Sequence, residues 1–284
     1  MFKLLGKAHR VKPGPRAALT ILLSAIPLTA AVPAHAAGDL LIAPTRVILD
    51  SPRGTEVILN NIGDEEATYR VTLELRRMND QGKLEDVNPE SITEKEKAAL
   101  TAVRYAPRRV TLPPNQPQSI RIGIQPDAAL PDGEYRAHML FRAIPKTPPA
   151  DVSGNTTEGF RIQITPIYGI SIPVIVRKGN LEATATLSNV RFGMDEEGPT
   201  LELDLNRSGD RSLFGEIHVS KPGIPAPVSV TKGIAAYPEI ARRTVSIPIT
   251  PQLAVQLRGE VIISYYEAPE AGGGLISQVR SILP

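Results

Sequence analysis

The 284-residue chain carries 32 Lys and Arg against 30 Asp and Glu, 27 prolines and no cysteine. Without cysteine there are no disulfides, no thiolate nucleophile and no Cys-based metal site, so stability must come from core burial, which a chain of this length can supply. The formal charge of +2 is owed to the first 36 residues, whose removal takes away five positive and no negative charges and leaves −3; with no later Lys/Arg cluster interleaved with aromatics, nucleic acid is excluded as a partner.

Residues 1–36 have the layout of a signal peptide. Lys3, Lys7, Arg10, Lys12 and Arg16 precede the apolar stretch 17–32, and Ala34-His35-Ala36 closes it with a small-x-small cleavage pattern. No later stretch approaches 18 uninterrupted apolar residues, so stable membrane insertion is not expected of the mature chain. The remaining length suits two domains, 37–178 and 179–284.

Strand signals recur from Asp39 onward, punctuated by Gly, Pro, Asn and Asp. The runs are Leu40 to Leu49, Glu56 to Asn60, "ATYRVTLELR", Arg109 to Leu112, Ser119 to Ile124, Tyr135 to Ile144 and Phe160 to Arg177. Seven strands in this space predict an immunoglobulin-like sandwich. In the third, Tyr69, Val71, Leu73 and Leu75 alternate with Arg70, Thr72, Glu74 and Arg76, the pattern of a half-buried antiparallel strand. Between them, "PESITEKEKAALTAV" pairs Ser91 with Glu94 as a capping box and predicts about two turns of helix inserted at the surface. "LPDGEYRAHMLF" places Tyr135 just after a turn, where its hydroxyl is expected to bond back across the corner.

The seventh run, "FRIQITPIYGISIPVIVRK", is the most unusual. Every even position from Phe160 to Val176 is apolar, and the run far exceeds the usual strand of about 5–6 residues. Pro166 and Pro173 cannot donate to a ladder, which assigns the run to a sheet edge. Long apolar edges are a hazard that proteins ordinarily blunt, and this one is scarcely blunted. Periodicity leaves two uses open for Phe160 to Tyr168, lining its own core or pairing with a partner; Ile170 to Val176 is expected to serve the core.

After Lys178-Gly179-Asn180 the alternation restarts at Leu181. Further runs are Leu201 to Leu205, Gly215 to Val219, Val228 to Val230, Val245 to Ile249 and Val261 to Tyr265, and the tail "AGGGLISQVRSILP" leaves room for one more. The fold class is therefore all-β, with two β-sandwich domains.

Catalytic signatures are sparse. No G-x-S-x-G, P-loop, G-x-G-x-x-G or H-E-x-x-H occurs, and Asp195, Glu196 and Glu197 read as a solvated turn. His138 and His218 remain after signal removal, each in an expected strand without a second ligand at metal spacing. Neither a cofactor nor a metal is expected. A hydrolase assembled from distant loops would leave no local motif, and loss of turnover in His138→Ala would reveal it.

Four segments together resemble the PapD-like periplasmic pilus-assembly chaperones: "APTRVILD" at 43–50, "PRRVTLPPNQPQSIRIGI" at 107–124, "YRAHMLFRAIP" at 135–145 and the seventh strand ending in "SIPVIVRKG". The likeness covers most of 39–179. It implies two immunoglobulin-like domains set at an angle in a non-enzymatic periplasmic chaperone. Such a protein binds secreted pilin, fimbrial or coat-type subunits by lending its seventh strand, a mode of strand addition, and works with an outer-membrane usher. It implies further that Phe160, Ile162, Ile164 and Tyr168 form the donor strand and that Arg46, in the Thr45-Arg46 pair, anchors the subunit's terminal carboxylate. The family's second anchor, a lysine within the seventh strand, is missing, since Ser171 or Pro173 stands there; Arg177 and Lys178 lie nearby. The alternative reading is a periplasmic scaffold of the same fold that pairs its edge with itself, forming a homodimer when unliganded.

Overall fold

A computed structural model describes residues 40–125, 130–145 and 166–284. The first sandwich contains β1 (Leu40–Ala43), β2 (Val47–Leu49), β3 (Thr55–Asn61), β4 (Ala67–Glu74), β5 (Arg76–Met78), β6 (Leu84–Asp86), α1 (Glu94–Ala102), β7 (Val103–Ala106), β8 (Arg109–Leu112), β9 (Gln118–Ile124), β10 (Gly133–Ile144) and β11 (Gly169–Lys178). One sheet has the order β1-β3-β9-β7 and the facing sheet β2-β11-β10-β4-β8. Their inner faces meet on Leu59, Leu112, Ile120, Met139 and Phe141, all fully buried.

The run Leu40 to Leu49 is two strands rather than one, in different sheets. Leu40 and Ile42 face the core from one sheet, Val47 and Leu49 from the other. The buried positions change from even to odd, which a single uninterrupted strand cannot accommodate. The break falls at Pro44-Thr45-Arg46, where Pro44 offers no N–H to a ladder.

The expected helix forms, but its cap lies two residues later. Thr93 Oγ1 accepts from Glu96 N at 3.3 Å and Glu96 Oε2 accepts from Thr93 N at 2.8 Å. Ser91 is already committed to a preceding turn, its N–H donating to Asn88 O at 2.9 Å. Nor is α1 only a surface insertion, because Ala99 and Ala102 are buried in the first core. The tyrosine corner is present, with the Tyr135 hydroxyl donating to Pro131 O at 2.8 Å.

The second sandwich contains β12 (Ala183–Asp195), β13 (Gly198–Gly209), β14 (Leu213–Ser220), β15 (Ser229–Ala236), β16 (Arg242–Pro248), α2 (Pro251–Gln256), β17 (Gly259–Glu267) and β18 (Leu275–Leu283). Its sheets are β12-β13-β16 and β15-β14-β17-β18. The C-terminal tail is thus a full strand, paired antiparallel with β17. Helix α2 had no periodic signal; it opens on Thr250, whose Oγ1 accepts from Leu253 N at 3.1 Å, with Pro251 in the first turn.

Between β11 and β12 the chain turns at Gly179, whose φ of +83° is left-handed and whose absent Cβ would lie 2.5 Å from the Asp132 carboxyl group. A third cluster, Met78, Ile175, Ala235 and Tyr237, joins the two sandwiches. Arg136 reinforces it, lying 3.6 Å over the Tyr237 ring and donating to Glu239 Oε1 at 2.6 Å. Met78 N donates to Glu239 Oε1 at 2.9 Å, and Thr244 N donates to Asp80 O at 2.7 Å. No helix among the described residues is long and apolar enough to cross a membrane.

Candidate functional site

β11 has one fully paired side and one partly paired side. Along its whole length it runs antiparallel to β10, from Gly169 opposite Arg142 to Lys178 opposite Gly133. On its other side β2 pairs with it in parallel, but only at Val174, Ile175 and Val176. Among the described residues no strand covers Gly169–Pro173 on that side. The expected edge strand is therefore an edge only upstream; downstream it is interior to its sheet.

The direction of the exposed peptide groups follows from the ladder. Ala143 N donates to Tyr168 O at 2.9 Å, one step beyond the Arg142–Gly169 pair. Since successive residues of a strand direct their N–H and C=O to opposite sides, those of Ile170, Ile172, Val174 and Val176 point to β10. Those of Gly169, Ser171, Pro173 and Ile175 point away. Ile175 meets β2 opposite Ile48, whereas Gly169 and Ser171 direct complete donor and acceptor pairs at the open side. Pro173 lacks an N–H on that same side, where its absence costs the domain nothing.

Burial changes along the same strand. Ile172, Val174 and Val176 are buried in the first core, but Ile170, on the same face, is 37 % exposed. Ile167 and Tyr168, just upstream, are 57 % and 48 % exposed. Ile170 was expected in the core; the first sandwich instead closes at Ile172. Of the expected donor residues, Tyr168 is at the surface, while Phe160, Ile162 and Ile164 lie outside the described residues.

Where β2 begins, the strand position beside β11 passes into a cleft between the sandwiches. Arg46, the residue before β2, donates from Nη2 to Ser212 Oγ at 2.9 Å and from Nη1 to Tyr237 Oη at 3.2 Å. Its guanidinium lies 4.6 Å over the Phe214 ring. These partners are neutral: among the described residues Arg46 has no carboxylate partner, and its buried Nε has no acceptor. A cavity of about 120 Å³ opens here, lined among others by Arg46, Arg177, Arg211, Phe214 and Glu267.

The two cations suggested by sequence proximity are both occupied. Arg177 Nε donates to Glu134 Oε2 at 3.0 Å, and that buried carboxylate also accepts from Ser212 N at 2.9 Å and Ser212 Oγ at 3.0 Å. Lys178 Nζ is turned to Leu130 O. Arg211, Ser212, Phe214 and Tyr237 were not legible as cleft residues. They belong to the second sandwich, and nothing in their local sequence signals which neighbour its surface meets.

No family model matches the chain, and no curated protein matches it. Solved structures do match. In backbone, the chain is similar to chaperone structures. The YadV chaperone is 14 % identical, with 86 % of this chain and 98 % of that chain covered and a TM-score of 0.43. The Pseudomonas aeruginosa CupB2 chaperone is 14 % identical over 86 % and 100 %, with a TM-score of 0.42. The Salmonella enterica SafA pilin in complex with the SafB chaperone matches at 16 % identity over 86 % and 96 %, with a TM-score of 0.41.

The histidines form no centre. His218 Nε2 lies 2.7 Å from Glu216 Oε1 and its ring packs on Tyr266. His138 is 1 % exposed, and neither ring nitrogen has a partner among the described residues. It is therefore a core histidine rather than a strand-surface one. Burial pushes its pKa down to about 3, helped by the charges of Arg136, Arg76 and Arg46. Among the described residues no group of three or more His, Cys, Asp or Glu is arranged to hold a metal.

Proposed function

We propose that this protein is a periplasmic chaperone that holds secreted pilus, fimbrial or coat-type subunits by lending them the upstream part of its seventh strand. Phe160, Ile162, Ile164, Tyr168 and Ile170 are the donated side chains, Arg46 receives the subunit's carboxyl terminus, and an outer-membrane usher takes the subunit onward. Export through the signal peptide 1–36, with the two domains 37–178 and 179–284 acting in the periplasm, belongs to the same reading. The motif resemblance supports it, and no catalytic step is part of it.

The single observation that carries it is the line formed by the open side of β11, β2 and Arg46. A guest strand beside Gly169–Pro173 would continue the line of β2. If it ran parallel to β11, as β2 does, its last residue would arrive at Arg46, and a carboxylate there would meet a planar fork of donors. Run the other way, the guest would bring an amino terminus against a guanidinium. Charge thus selects the parallel direction and a terminal carboxylate.

Magnitudes divide the work. Each apolar side chain buried in a guest's unfinished core contributes roughly 1.5–3 kcal/mol before association costs, against about 1.5–3 kcal/mol for the single charge-assisted contact. Several side chains outweigh one anchor, so Arg46 sets register and the ribbon sets affinity. Introducing a charge at both positions, Ile164→Glu with Ile170→Glu, should abolish co-purification of a co-expressed secreted subunit while the chain stays folded. An undiminished yield of the complex refutes donation, and a concentration-dependent homodimer lost in the same variant would favour the self-pairing scaffold.

A further inference from the structure

Three arginines line the cleft cavity, and their partners differ in how firmly they are held. Glu134, the partner of Arg177, is buried and accepts three hydrogen bonds, so freeing Arg177 would strand a carboxylate in the interior. Arg46 already faces the cavity with hydroxyl partners only. Arg211 is different again: Nη1 meets Glu267 Oε1 at 3.2 Å, both side chains are about a quarter exposed, and Glu267 ends β17 at the cavity wall. Its backbone is fixed, because Arg211 O accepts from Arg207 Nη2 at 3.0 Å and Leu213, two residues on, is buried.

We propose that Arg211, from the second sandwich, is the second cation for the guest's terminal carboxylate, and that Glu267 holds its place until the guest arrives. This rests on the strand-donation reading and adds a role for the second domain. Arg46 and Arg211 approach one cavity from two sandwiches, so a carboxylate between them ties both domains to the guest. Exchange of Glu267 for the incoming carboxylate keeps Arg211 paired and leaves no charge buried alone, since Glu267 can turn to water. The equivalent release of Glu134 cannot.

The probe is a peptide of ten alternating valines and threonines preceded by three lysines, made with a free C-terminal carboxylate and as its carboxamide. Binding of both forms to the mature chain is measured by titration calorimetry. With two cations, the unaltered protein should prefer the carboxylate form by about a hundredfold, about tenfold for each. Arg211→Gln should cut that preference about tenfold without changing affinity for the carboxamide, which also reports that the variant is folded. Arg211→Lys should retain part of the preference, and Glu267→Gln should raise affinity for the carboxylate form. An undiminished preference in Arg211→Gln, with the preference lost in Arg46→Gln, overturns the role of Arg211 and leaves donation standing. Failure of the unaltered protein to bind either peptide contradicts donation and this assignment together.

Discussion

Tyr135 and His138 sit three residues apart on β10 and face opposite sides of its sheet. Tyr135 was legible because a turn, a strand start and a hydroxyl make a local device; Tyr135→Phe should cost about 1 kcal/mol, read as a lower urea midpoint with an unchanged slope. The burial of His138 was not legible, because alternation tells which residues share a face but not whether that face is covered. Its folded pKa, near 3, lies below the unfolded value of about 6.5. Above pH 6.5 both states are neutral and the residue is silent. As pH falls from 6.5 towards 3, only the unfolded chain takes the proton, and stability declines by at most about 1.4 kcal/mol per pH unit. Glu96 behaves differently. Hydrogen bonds from Arg77 hold it down to about 2, so its contribution is full above about pH 4.5 and disappears as pH falls towards 2. His138→Leu should therefore flatten the stability profile between pH 6.5 and 4.5, where Glu96 is not yet lost; an unaltered profile in that window would mean that His138 is protonated while folded.

At the scale of elements, β11 shows how one alternating pattern serves two purposes. Periodicity gave the correct face but not the point where the chain's own core stops, because enclosure depends on what packs over that face, and this is not a local property. Ile172 and Ile170 share a face, yet only the first is enclosed. Ile172→Ala should destabilise the isolated protein by about 2–4 kcal/mol through lost contacts and a residual cavity. Ile170→Ala should cost well under 1 kcal/mol by itself and weaken guest binding instead. Paired denaturation and binding measurements separate the two; equal stability losses would place Ile170 in the core after all. The run Leu40 to Leu49 and the α1 cap illustrate the same limit. Parity change at Pro44 and the Thr93–Glu96 spacing were both present in the sequence, but each competed with a simpler pattern beside it.

For the whole molecule, fold class and the places of most strands along the chain were readable because alternation and turn residues are local properties, whereas the order of strands in the sheets and the contact between sandwiches were not. The β5–β6 hairpin, Arg136 and Tyr237 come from distant segments, and only the folded chain brings them to Glu239. That carboxylate accepts from Arg136 at 2.6 Å and from Met78 N at 2.9 Å. Glu239→Ala leaves Met78 N without its acceptor and Arg136 with only Arg76 O, and should split a single calorimetric transition into two as the sandwiches uncouple. A guest bridging Arg46 and the second sandwich would restore one transition. The open side of β11 is itself accessible to amide hydrogen exchange, read residue by residue. Gly169 and Ser171 should exchange quickly in the protein alone and become strongly protected when the carboxylate peptide or a secreted subunit is bound, while Ile172 is protected throughout. Slow exchange at both amides in the protein alone, or no change on binding, would contradict the claim that this edge is held open for another chain.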